Sequence, residues 1–85
     1  MASESAITAA IENVVGQTSN KYSIWTIGVT DDPASRKGQH GNPGSWMHWN
    51  ADSESAARNV EKHFLAKGMK GGTGGGGKAD YVYIF

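Results

Sequence analysis

Two stretches of this chain, residues 22–30 and 80–85, are so rich in β-branched and aromatic residues that each is expected to be a strand with a buried face. They lie far apart in the sequence, so pairing them closes most of the chain into one unit with a non-local sheet at its centre. In the first run Trp25, Ile27 and Val29 fall on one face and Ile24, Thr26, Gly28 and Thr30 on the other. A glycine inside such a run predicts that backbone, or a ligand, comes close at Gly28.

The segments between and before these strands read as helices and a third strand. Ile7, Ala10, Ile11, Val14 and Val15 make one apolar stripe, which predicts a helix over 4–16, ended by Gly16 and the polar run 17–20. Asp31-Asp32-Pro33 is a helix start, because an aspartate caps free N–H groups and proline suits the first helical position; a short helix is expected over 33–40. A turn at 41–44 leads to a second strand at 45–50, in which Trp46 and His48 alternate with Met47 and Trp49. Asp52-Ser53-Glu54 opens a third helix with Ala57, Val60 and Phe64 on one face and Gly68 as its cap. Residues 68–79, mostly glycine and lysine, read as a flexible loop, and residues 1–5 as disordered. The expected architecture is one α+β domain spanning 1–85, in the order α-β-α-β-α-β, with three helices covering one face of a three-stranded sheet.

Composition narrows the chemistry. There is no cysteine, which excludes disulfides, thiolate catalysis and cysteine-held zinc. No apolar run approaches the roughly 20 residues that cross a bilayer, and the first residues lack the features of a secretory signal, so the expected location is the cytoplasm. Net charge is zero, but it is unevenly placed: residues 1–32 carry one cation against four acids, and residues 33–85 seven against four. A polyanion would meet the second part, where Lys37, Lys70 and Lys78 lie. The run Gly72–Lys78 spells the start of a phosphate-binding loop, yet Ala79 stands where a hydroxyl residue is needed and a strand follows in place of a helix.

The junction after the first strand carries the most specific pattern. Arg36 lies eight residues after Gly28, and His40 four after Arg36, so the two project from one helix face. A guanidinium that never deprotonates, beside an imidazole that can move a proton near neutral pH, suits a phosphate. Read alone, each residue also has a structural role open to it. Arg36 can pair with Asp31 or Asp32, His40 can close its helix, and Glu61 can be a solvated helix residue. Trp46 and Trp49 read as sheet cover more readily than as a stacking surface, and His40, His48 and His63 lack metal-ligand spacing.

The stretch 26–40, through Gly28, Thr30, Arg36 and His40, resembles the second strand and first helix of GIY-YIG nuclease domains. The resemblance covers about residues 22–65. It implies a domain that binds nucleic acid, with Arg36 on a phosphate, His40 beside it, and Gly28, Thr30, Lys37, Lys70 and Lys78 along the substrate. It further implies Mg²⁺ on Glu61, whose place on the third helix fits the family's carboxylate, and hence a divergent metal-dependent endonuclease. Thr26 stands where the family has a tyrosine, and no Gly-Ile-Tyr strand precedes the first strand. The last strand can supply both, as in a circular permutation, if Tyr81 or Tyr83 lies beside Thr26 and faces Arg36. The alternative is a module that keeps the fold and binds a protein partner through its tryptophan-rich sheet.

Overall fold

A computed structural model describes residues 1–18, 20–71 and 79–85. Ser19 and residues 72–78, with Lys78 and most of the expected glycine-rich loop, lie outside the described residues. The chain runs α1 (Glu4–Thr18), a single 3-10 turn (Tyr22–Ile24), β1 (Thr26–Thr30), α2 (Pro33–Gln39), β2 (Met47–Asn50), α3 (Glu54–Ala66), β3 (Lys70–Gly71) and β4 (Tyr81–Ile84).

The fold is α+β, with a mixed sheet of four strands in the order β2-β4-β1-β3 rather than the expected three. The added strand comes from residues assigned to the flexible loop. Met69 is buried and anchors the chain after α3, and Lys70 and Gly71 then pair in parallel with Thr26 and Ile27. A two-residue strand has no readable periodicity, which is why glycine and lysine there looked like loop. Within residues 1–5, Ala2 pairs with the sheet and Glu4 opens α1. The Ala2 N–H donates to the Asn50 carbonyl at 2.8 Å, and the Asp52 N–H donates to the Ala2 carbonyl at 2.8 Å, extending the β2 side of the sheet.

β4 pairs antiparallel with both neighbours, which sets three residues in a row across the sheet: Gly28 opposite Tyr83 and Tyr83 opposite His48. The period of two then sorts the two faces. Ile27, Val29, Val82 and Ile84 point to one face and are buried with Ile7, Ile11 and Val15 of α1 and Ala56, Ala57, Val60 and Phe64 of α3. This is the stripe pattern expected of both helices. Ser53 caps α3 by accepting from the Ala56 N–H at 3.0 Å, and Asp32 caps α2 by accepting from the Ser35 N–H at 3.1 Å. Gly68 follows α3 with φ +112°, the left-handed conformation that glycine allows at a helix end.

The three helices do not share one face. The end of α2, through His40, reaches Tyr83 and therefore lies on the Gly28 side, opposite α1 and α3. α2 begins three residues after β1 and is seven residues long. The first strand is also shorter than its composition suggested: Tyr22–Ile24 curls into the 3-10 turn, and Tyr22 stacks on Phe64 at a centroid distance of 5.8 Å. Among the described residues no helix is long and apolar enough to cross a membrane.

Candidate functional site

The second face of the sheet is built on an absence of side chain. Gly28 sits opposite Tyr83, and a Cβ placed at Gly28 would land on the Tyr83 hydroxyl and ring. The ring of Tyr83 therefore lies flat over the glycine, in space that only a missing side chain provides. Gly28 is the close approach that its place in a strand predicts, and the group approaching is a side chain of the same protein.

Tyr83 is fully buried, and three rings surround it. Trp46 stacks on it at 4.5 Å and 13°, Phe85 lies beside it at 6.1 Å and 12°, and His40 meets it at 5.7 Å and 46°. The His40 Nε2 and the Tyr83 hydroxyl share a hydrogen bond of 3.2 Å. Burial raises the pKa of Tyr83; the Arg36 charge opposes that shift and the Glu61 charge adds to it. The phenol thus stays protonated at neutral pH, and it feels one cation and one anion as well as the imidazole.

The expected site residues divide into those this centre gathers and those it does not. Arg36 and His40 leave α2 on the same side, as their spacing requires, and the Arg36 Nη1 donates to Gln39 Oε1 at 2.9 Å. That bond ties the guanidinium to its own helix. Glu61 comes from the other layer. Its charge nevertheless acts on Tyr83. The Glu61 carboxyl is itself pushed above the ordinary glutamate range, by desolvation first, with Arg58 acting in the opposite sense.

Tyr81 is displaced from the centre: it is half-exposed, pairs with Thr30 and Asn50, and meets His48 edge-on at 5.9 Å. Neither tyrosine lies beside Thr26. That place belongs to Phe85, which exchanges backbone hydrogen bonds of 2.7 and 3.0 Å with Thr26. Tyr83 stands two residues further along the strand, at the glycine. Thr30 is buried, and its hydroxyl accepts from the Asp32 N–H at 3.0 Å, so it shapes the turn into α2. Lys37 is half-exposed in the last turn of α2, and Lys70 is exposed on β3, with its backbone N–H donating to Trp25 at 2.9 Å. Among the described residues no three His, Asp or Glu side chains come together as a metal-binding group.

Phe85 is the residue sequence reasoning missed, and Trp46, read there as sheet cover, is part of the centre. Their signal was the alternation itself, since Tyr81, Tyr83 and Phe85 share one side of β4 and Trp46 and His48 lie beside them on the same face of the sheet. Comparison with known protein families, with curated proteins and with solved structures found no match for the chain. The reading of this site therefore stands on its own geometry.

Proposed function

We propose that the chain is a divergent GIY-YIG-like domain that binds nucleic acid and acts on a phosphodiester at the Arg36–His40 face. The reading rests on one observation: the Tyr83 phenol, laid over Gly28, holds His40 and feels the charges of both Arg36 and Glu61. That set joins Gly28, Arg36 and His40 of the spacing pattern with Glu61, and the last strand supplies the tyrosine.

Each group has a distinct task. Arg36 holds a non-bridging phosphate oxygen, using planar donors that stay charged. His40 faces the substrate and takes the proton of the attacking water as that oxygen bonds to phosphorus and the bond to the leaving oxygen breaks. Tyr83 is a positioning residue: it is sealed from solvent, and its hydroxyl fixes the imidazole from behind. The donor set suits Mg²⁺. A single half-buried carboxylate, destabilised by desolvation, gains from a cation nearby, and Mg²⁺ keeps most of its waters and needs one or two carboxylates. Bound at Glu61, the ion would polarise the phosphate and stabilise the leaving oxygen.

Plasmid and branched DNA, incubated with Mg²⁺ and the wild type, Arg36→Ala, His40→Ala and Glu61→Ala, test the proposal. Cutting that needs all three residues is expected, with affinity that falls as salt rises. A wild type that neither binds nor cuts either substrate would sink it. A protein-binding module is the second reading, favoured by β2, an edge strand with Met47 exposed at its start.

A further inference from the structure

We infer that the outward face of Trp46 is a stacking platform for an unpaired nucleobase, which makes single-stranded or flipped-out nucleic acid the preferred substrate class. The inference rests on the proposed phosphodiester site and adds what sits next to it.

The ring geometry shows which face of the indole is covered. Trp46 is 4.5 Å from Tyr83 and 5.8 Å from Phe85, with planes tilted by 13° and 16°. Were Trp46 sandwiched between them, Tyr83 and Phe85 would stand apart by nearly the sum of those distances. They are 6.1 Å apart and nearly parallel, so both lie on the same side of the indole. Trp46 roofs the pair and is itself half-buried, and neither of these two rings lies on its other face.

A stacking platform must also hold still. The Trp46 Nε1–H donates to His48 Nδ1 at 2.9 Å, so the indole is fixed at its edge as well as on its inner face. The ordering of this side chain is therefore complete before any ligand arrives, and the affinity lost to ordering is small. The neighbourhood supplies the rest of a nucleotide's chemistry. His40, the substrate-facing imidazole, is 6.5 Å from Trp46, and α2 brings Arg36 and Lys37 in its last turn. The short His40–Trp46 separation puts a base stacked on the indole close to a phosphate held at His40. Every base has a π face, so such a platform selects an unstacked base over a paired one without choosing its identity.

The test compares a single-stranded oligonucleotide, the same strand in a duplex, and the same strand with abasic positions, all labelled and titrated with the full chain. The wild type should prefer the single strand, and the abasic strand should bind about 5- to 100-fold more weakly, the range for losing one stacked base. Trp46→Leu should lower single-strand affinity by a similar factor while leaving the abasic strand unchanged, and Trp46→Phe should retain most of the preference. The abasic comparison needs no variant, so a Trp46→Leu chain that fails to fold does not blunt it. Equal binding of abasic and intact strands, or a duplex bound as tightly as the single strand, overturns the platform while leaving the phosphate site standing. Loss of all binding, or binding indifferent to Arg36→Ala, removes both.

Discussion

Replacing Gly28 with alanine tests the packing on which the site depends. The new Cβ would fall on the Tyr83 hydroxyl and Cζ, and within 2.8 Å of Cε2. That is not the flexible tip of a surface side chain. Tyr83 is wholly buried, with Trp46 stacked on it and Phe85 at its side, so the ring can move only by displacing packed neighbours. Overpacking of this kind costs about 1–3 kcal/mol. A ring pushed off Gly28 also breaks the His40 hydrogen bond, at about 0.5–1.5 kcal/mol, and disturbs the Trp46 stack, at about 0.5–1.5 kcal/mol. A loss of about 3 kcal/mol is therefore expected, or a fall in Tm of roughly 12–24 °C for a domain of this size. Urea unfolding followed by far-UV circular dichroism gives the free energy directly.

The decisive measurement is the double-mutant cycle with Tyr83→Ala. Removing the ring alone should cost about 3–5 kcal/mol, through the cavity it leaves. If the ring is what the new methyl strikes, Gly28→Ala costs little in that background, and the pair couples by about 1–3 kcal/mol. Additive losses, or a Gly28→Ala variant within about 0.5 kcal/mol of wild type, would mean that Tyr83 does not lie over Gly28, and the site as described would go with it.

Other perturbations check neighbouring parts. Gly38, inside α2, has nothing within 4 Å of an added Cβ, so Gly38→Ala should stabilise the protein by about 0.5–1 kcal/mol, visible as a higher urea midpoint. Ser53→Ala removes the cap of α3 and should cost about 1 kcal/mol in the same assay. The raised Glu61 pKa means that the unfolded chain loses this proton first, so stability falls as pH rises from the ordinary glutamate range through the higher folded value. Glu61→Gln should therefore be more stable than wild type at neutral pH, with a gain that vanishes at lower pH; a gain independent of pH refutes the shift.

Much of the fold was legible because it was written in strong periodicities. The stripes Ile7-Ile11-Val15 and Ala57-Val60-Phe64 are buried as their spacing requires, and Asp32-Pro33 starts α2. The pairing of residues 80–85 with the first strand followed from the cost of leaving aromatic residues in water. What failed lacked a local signal. β3 has two residues, Ala2 pairs through backbone alone, and Tyr22–Ile24 turns because tertiary packing of Tyr22 on Phe64 prevails over its strand propensity. In the site, the Arg36–His40 pair could be read from helical spacing, whereas the register that sets Tyr83, not Tyr81, at Gly28 could not. A one-place slip of β4 would have sent both tyrosines to the apolar face.

The burial of Tyr83 determines how the site can work. A phenol that is sealed from solvent, and whose ionisation burial opposes, is a poor group to activate a water itself. Its value lies in what it holds. The imidazole of His40 is half-exposed, bonded at Nε2 to the phenol and packed against Phe85 at 4.7 Å, so under the proposed function it is the proton-transfer group that a solute meets. Tyr83→Phe keeps the stack and removes only the hydroxyl. If Tyr83 acts through His40, that variant retains part of any cutting activity and shifts its pH profile, because the imidazole loses its orienting partner. His40→Ala loses activity at every pH. The reverse ranking, with Tyr83→Phe inactive at every pH and His40→Ala largely active, would place the chemistry on the phenol and require Trp46 to swing away before each turnover.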